Sequence, residues 1–189
     1  MKSEQLETIT DNEAIRMVQQ GDTAKLGILY ERHHENLFKY FYRLTSHREV
    51  SEDMVHNTFM KVLKYNKSFT GSGQFAYWLF SIARNIWVDH LRKKDVMKNN
   101  KDLDAVYHLH SDDEIRIDDE AARQKVLINQ ALNTLTPEKK EAIVLSKFHG
   151  MKYQEIAEMA ACTENAIKSR IKRGLYEMRL FIQKYETLS

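Results

Sequence analysis

Two stretches of this 189-residue chain carry polar side chains of a kind and spacing that could do chemistry. The first is FAYWLFSIARNIWVDHLRKK, residues 75–94. At about 100° per residue, Phe75, Trp78, Leu79, Ile82 and Ile86 fall on one narrow apolar stripe. Ser81, Asn85 and Arg92 line one flank, Arg84 lies opposite the stripe, and Arg92, Lys93 and Lys94 form a basic end. Hydroxyl, amide and guanidinium groups on a rigid aromatic backing suit nucleic acid, where cations meet phosphate and amides read base edges. The second stretch lies near the C-terminus. Asn165, Lys168, Ser169, Lys172 and Arg173 occupy the outer face of a long basic helix whose inner stripe is Ile167, Ile171, Gly174, Met178, Phe181 and Ile182. Lysines and arginines there could reach phosphates or guanine edges in a major groove. Each pattern also fits a plainer structure: an amphipathic helix with a solvated outer face, and a bare three-helix bundle.

Elements able to hold these groups can be read from composition and caps. One proline and six glycines in 189 residues, with abundant Leu, Ile, Lys, Glu, Met and Ala, point to an all-α fold. Asp11 is the expected N-cap of a first helix holding Ile15 and Val18, which ends near Gly21 and Asp22. A second helix from about Thr23 puts Leu26, Leu29, Tyr30, His33 and Leu37 inside and continues through Phe38, Tyr40, Phe41 and Tyr42. Ser51, Glu52 and Asp53 open a third. Its inner positions are Met54, Val55, Thr58, Phe59 and Val62, and its other face carries Asp53, His56, Asn57, Met60 and Lys61. Thr70-Gly71-Ser72-Gly73 is a loop without the preceding strand or the following Lys-Ser/Thr of a phosphate-cradling motif.

From Lys101 to Glu120 acids far outnumber bases, which makes residues 96–120 an acidic linker between two small domains, 1–95 and 121–189. The second domain restarts with Val126, Leu127, Ala131, Leu132 and Leu135 at helical spacing. Thr136-Pro137 then starts a helix that carries Ala142, Ile143, Leu145 and Phe148 and stops at His149-Gly150. A short helix over 153–159, a break at Ala160-Ala161-Cys162 and a long last helix capped by Thr163 make a helix-turn-helix.

At this point three segments, in order, resemble the bacterial RNA polymerase sigma factors. SEDMVHNTFMKVLKY resembles the segment that docks on core polymerase, FAYWLFSIARNIWVDHLRKK the promoter-melting segment, and LTPEKKEAIVLSKFHGMKYQEIAEMAACTENAIKSRIKRGL the upstream-element-binding domain. With only two domains, the chain is similar to the small extracytoplasmic-function (ECF) type. The resemblance implies that Asp53, Asn57, Phe59 and Lys61 contact core RNA polymerase. Phe69 and Asn85 would hold a flipped, single-stranded base of the −10 element, beside Ser81, with Arg84, Arg92 and Lys93 on the strand backbone. Asn165, Lys168, Ser169, Arg170, Lys172 and Arg173 would read duplex promoter DNA at −35. The physical logic stands beside the analogy, since an unpaired base needs a stacking surface and an amide, and a Phe and an Asn flanking a Gly-Ser-Gly loop supply both. The resemblance also implies an anti-sigma factor as a further partner. Three departures stand out: Ala161 where the family has glycine, His56 where glutamine is common and Leu63 where an aromatic is common.

Other chemistry finds little support. No His-x-x-x-His or Cys-x-x-Cys spacing exists, so no metal and no cofactor is expected, and no nucleophile motif or carboxylate pair suggests an enzyme. A single cysteine, Cys162, suits a reducing compartment. No apolar run approaches the ~18 residues of a membrane span and the polar N-terminus has no signal pattern, so a cytoplasmic protein without membrane insertion is expected. A formal charge of only +2 implies weak DNA binding by the chain alone. The competing reading is a stand-alone helix-turn-helix regulator whose N-terminal half senses a partner.

Overall fold

A computed structural model describes residues 9–99 and 120–188, and among these the chain is helix and connecting turn throughout, with no strand. The acidic linker read over 96–120 lies mostly outside the described residues; residues 96–99 continue a helix and Glu120 opens the next. The chain divides into two compact units. One holds residues 1–41 and 48–108, and the other holds Tyr42–His47 with the C-terminal part.

The first unit contains α1 (Asp11–Gln19), a tight turn (Thr23–Lys25), most of α2 (Leu26–Thr45), α3 (Arg48–Tyr65), a second tight turn (Asn66–Ser68) and α4 (Phe75–Asn99). Thr10, not Asp11, caps α1. Its hydroxyl accepts from the Glu13 amide while the Glu13 carboxylate accepts from the Thr10 amide, a reciprocal capping box. Gly21, at φ +105°, closes the helix through the paired bonds Gly21 N–H to Val18 O and Asp22 N–H to Met17 O. Helix α3 begins at Arg48, three residues before the expected start, so Ser51 is fully buried instead of capping an exposed end. The Thr58 hydroxyl, also buried, is spent on the Met54 carbonyl at 2.7 Å. Tyr30 is not on the inner side as expected. It is exposed, stacked flat on His34 with its edge toward Phe59.

Helix α4 buries a wider face than its narrow stripe suggests. Phe75, Leu79, Phe80, Ala83, Ile86 and Trp87 are all buried. At about 100° per residue they span an arc of roughly 140°. Phe80 meets Tyr40 edge-on at 5.4 Å. Below the N-terminal end of α4, Phe69, Phe75 and Trp78 form a three-ring cluster with centroids 5.4–6.1 Å apart.

The second unit contains α5 (Glu120–Asn133), α6 (Pro137–Ile143), α7 (Tyr153–Met159) and α8 (Glu164–Leu188), with the first three packed on α8. Pro137 opens α6 as expected, although the Thr136 side chain makes no capping bond. Over Val144–Phe148 the helix widens to a π turn. That slips the phase, so Phe148 is exposed and not inward. Helix α7 ends with Cys162 N–H bonded to Ala157 O and Ala161 N–H to Glu158 O, which puts Ala161 in the left-handed region at φ +49°. The turn therefore demands the conformation that glycine adopts without cost. On α8, Ile167, Ile171, Gly174 and Met178 are buried. A Cβ on Gly174 would sit 2.7 Å from Ile143 Cδ1 and 3.3 Å from Lys139 Cβ, so α6 and α8 cross where only glycine fits.

Two glycine–alanine exchanges in this unit should act with opposite signs. Gly174→Ala overpacks the crossing and should lower stability by about 1–3 kcal/mol. Ala161→Gly relieves a strained turn and should raise it by up to about 1 kcal/mol. Urea unfolding of the two variants checks both.

Candidate nucleic-acid interface

The wide buried arc of α4 fixes where its polar groups point. Because Phe80, Ala83 and Trp87 extend the inner side, the direction opposite the core is that of Ser81, Asn85 and Arg92, which fall within about 40° of one another along the helix. Asn85 and Arg92 are exposed and Ser81 half-buried, its hydroxyl bonded to the Trp78 carbonyl at 2.6 Å. Arg84, expected to stand opposite the stripe, lies instead at the edge of the buried arc and is half-buried. Half-buried Trp78 offers a ring on the flank next to Ser81 and Asn85.

Two residues given contact roles by the resemblance are buried in the free chain. Phe69 is only 6% exposed, its ring packed among Phe75 and Trp78, so it cannot offer a free face to a base. It forms the floor under the loop that it begins. Phe59 is 5% exposed and lies in the core of the unit, beneath the α3 surface.

The other α3 residues behave differently. Asp53, Asn57 and Lys61 line one side of a groove of about 700 Å³, together with exposed Met60. The opposite wall comes from α4 and includes Ile86, Asp89, His90 and Lys93. Lys61 reaches across it to Asp89 at 3.6 Å. Lys93, read as a strand-backbone contact, thus shares a groove with the residues read as polymerase contacts and stands apart from the Ser81–Asn85–Arg92 face.

The loop before α4 is held in a way that the sequence pattern does not disclose. Gln19 donates from its one amide nitrogen to two loop carbonyls, Asn66 O at 2.7 Å and Phe69 O at 2.8 Å. Asn12 donates to Gly73 O and accepts from the Phe75 amide, both at 3.0 Å. Amides at Asn12 and Gln19 are visible as polar positions on one face of α1, but their partners lie 47–63 residues away, beyond any local periodicity. Next to Asn12, the Asp11 carboxylate pairs with Arg32 at 2.8 Å and His33 at 2.6 Å. Partial burial pushes the Asp11 carboxyl up, but the bonds from Arg32 and His33 outweigh it and hold its pKa below the ordinary 3.8.

In the second unit the Thr163 hydroxyl caps α8 by accepting from Ala166 N–H at 3.2 Å. Asn165, Lys168, Lys172 and Arg173 are exposed, Ser169 half-buried, and all five point away from the buried stripe. Lys168 pairs with Glu164 at 2.7 Å. Arg170 lies on the flank and reaches back to the Cys162 sulfur at 3.7 Å. Among the described residues no group of three or more His, Cys, Asp or Glu could hold a metal ion, and no helix is long and apolar enough to cross a membrane.

This geometry defines a class of protein, a two-unit DNA-binding chain with a helix-turn-helix in one unit and an amide-and-guanidinium face on an aromatic backing in the other. Two family models match it in order, Sigma-70 region 2 over residues 29–96 and Sigma-70, region 4 over residues 125–178, together well over half of the chain. The chain belongs to the sigma-70 family of RNA polymerase sigma factors, is of the ECF type, and is a transcription initiation factor. It is similar to the ECF RNA polymerase sigma-E factor of Haemophilus influenzae, 27% identical over 176 residues that cover 89% of this chain and 93% of that protein. It is also similar to the ECF sigma factor SigX of Bacillus subtilis, 25% identical over 159 residues and 80% of each. Among solved structures, CnrH in complex with the cytosolic domain of CnrY shares the fold at a TM-score of 0.68, with 21% identity, 92% of this chain and 97% of that one covered. So does the sigma factor RpoE with the anti-sigma factor NepR from Bartonella quintana, at 0.64, with 24% identity and 82% and 94% covered. A stand-alone helix-turn-helix regulator would account for the second match alone, and the first counts against it.

Asp11 supplies a pH-dependent term to the first unit. Its folded pKa is lowered, so its stabilisation is present above about pH 4 and lost as pH falls through the folded value. Asp11→Asn should cost about 0.5–1 kcal/mol at pH 7, and the difference from the parent should vanish as pH is taken well below 4. Urea unfolding as a function of pH measures it.

Proposed function

We propose that the first unit captures and melts the −10 element, and that α8 reads the −35 duplex while core RNA polymerase holds both units on the promoter. The observation that carries this reading is the outward alignment of Ser81, Asn85 and Arg92 on α4, opposite an aromatic core. An amide and a hydroxyl can bond the edge of an unstacked base while Trp78 offers a ring and Arg92 a cation for the neighbouring phosphate. Arg84, at the margin of the same face, is assigned to the strand backbone. Asp53, Asn57 and Lys61, with Met60 and Lys93, make the groove assigned to core polymerase. On α8, Lys172 and Arg173 are assigned to phosphates and guanine edges, with Asn165, Ser169, Lys168 and Arg170 completing the reading face.

Two further assignments follow from membership of the family. The chain works in the cytoplasm without a catalytic centre of its own, since initiation chemistry belongs to the polymerase. An anti-sigma factor holds it in check, as the Bartonella RpoE structure contains one.

Transcription by reconstituted holoenzyme on a random promoter library tests the reading. The parent should yield promoter-selective transcripts, and no sequence-specific footprint should form without polymerase. Asn85→Ala should cut promoter opening by about tenfold, the value of one to two hydrogen bonds to a base edge, and leave holoenzyme assembly intact. Lys172→Ala and Arg173→Ala should each weaken promoter binding and flatten its salt dependence by about one phosphate contact. Unchanged opening with Asn85→Ala would overturn the −10 assignment.

A further inference from the structure

The loop from Asn66 to Gln74 joins the end of α3 to the start of α4 and lies directly before the face assigned to the −10 strand. Within itself it is loosely tied. Phe69 N–H bonds to Asn66 O at 3.0 Å, the Thr70 and Ser72 hydroxyls meet at 2.9 Å, and Gly71 takes φ +76°. Asn66 and Ser68 bond back to the Leu63 and Tyr65 carbonyls of α3, and the Phe69 ring packs on α4; the hydrogen bonds that span the loop from one end to the other come from α1. Gln19 bonds both Asn66 O and Phe69 O, at the loop's beginning. Asn12 bonds Gly73 O and the Phe75 amide, at its end. Between them, the Arg16 guanidinium lies over Gly71, so that a Cβ there would meet Nη2 at 2.9 Å. Asn12, Arg16 and Gln19 are spaced i, i+4, i+7 and so share one face of α1, while Ala14, Ile15 and Val18 bury the other.

Two physical points make this more than incidental packing. Gln74 stands at the N-cap position of α4 and is not among the residues that cap well, so Asn12 supplies the cap from another helix. And α1 is itself anchored to α2 by Asp11 on Arg32 and His33, immediately beside Asn12. Fixing an Asn and a Gln side chain costs entropy that the apolar side of α1 does not require. The order gained lies in the loop and at the first residue of α4.

We infer that α1 is a latch for this loop: Asn12 and Gln19 are positioning residues that fix its two ends, and thereby hold it in place beside the base-capturing face without touching DNA. This rests on the −10 reading above. A loop with its ends released would no longer meet the everted base in register, although the polar face of α4, one and more turns beyond the Phe75 amide that Asn12 caps, would keep its direction.

The test uses full-length protein in holoenzyme, on the strongest promoter that the parent selects from a random library. Each −10 base in turn is replaced by an abasic nucleotide, and opening is followed by permanganate reactivity of unpaired thymines. The parent should lose opening at one abasic position above all others. Asn12→Ala and Gln19→Ala should each lower opening of the intact promoter about five- to tenfold, one or two hydrogen bonds' worth, and cause no further loss on the promoter lacking that base. Asn12→Asp retains the acceptor for Phe75 N–H and loses the donor to Gly73 O, so it should fall between. Holoenzyme assembly and −35 binding should not change. A purely structural role would instead lower assembly and opening together, on intact and abasic promoters alike, and that outcome overturns the latch. Undiminished opening in both variants overturns it too. If Asn85→Ala is sensitive to the abasic position while Asn12→Ala and Gln19→Ala are not, the latch fails and the −10 reading stands. If no abasic position matters to the parent, both fail.

Discussion

A helix that is to hold an unstacked base must not yield when the base arrives, and in this protein the resistance comes from the rings packed beneath α4. Phe69, Phe75 and Trp78 lock its first turn to the preceding loop, and Phe80 and Trp87 extend the buried face toward Tyr40 and the rest of the core. Aromatic side chains deliver large buried area with few rotatable bonds, so the backbone they support has little freedom left to lose. The outward direction of Ser81, Asn85 and Arg92 is a consequence of that packing. Had the buried face been the narrow Phe75–Ile86 stripe alone, the helix would be turned and Arg84 would have taken the outward position.

The same logic separates the charges of this near-neutral chain. Several of its exposed cations already have acidic neighbours: Lys168 with Glu164, Lys61 with Asp89, Lys39 with Glu35 and Arg48 with Glu52. Each pair is worth little to stability at the surface. Its effect on DNA binding is larger, because a lysine shared with a carboxylate releases fewer counterions when it meets a phosphate. Lys172 and Arg173 have no ion pair among the described residues and so carry more of the electrostatic attraction at α8. With a formal charge of only +2 on the whole chain, attraction to DNA is modest, which suits a reader of promoters that is held in place by a larger assembly.

Much of this was legible in the sequence. The buried positions of α3, Met54, Val55, Thr58, Phe59 and Val62, follow from spacing alone, as do Ile167, Ile171, Gly174 and Met178 on α8. The strain at Ala161, φ +49°, answers to the resemblance, in which glycine is usual at this turn. Other features were hidden for physical reasons. Phe148 swings out because a π turn inserts an extra residue into the helical phase, and periodicity assumes a constant phase. The burial of Phe69 and Phe59 is not legible from the resemblance, because aligned positions do not distinguish a ring on the surface from one beneath it. Thr10 displaced Asp11 as a cap because Asp11 has a better use: its carboxylate is claimed by Arg32 and His33 on the next helix.

The α1 contacts mark the limit of sequence reading most clearly. A hydrogen bond between an amide side chain and a loop carbonyl leaves no periodic trace, because the carbonyl belongs to every residue type alike. Gln19 could satisfy Asn66 and Phe69 whatever their side chains were, so neither partner constrains the other in composition. What does leave a trace is the conformation imposed. Gly71 sits at φ +76° under the Arg16 guanidinium, and it is the backbone conformation that favours glycine, since the flexible arginine tip can shift aside. The glycine that reads in sequence as mere flexibility is, in the folded unit, the residue that lets a helix close down on the loop and hold it still.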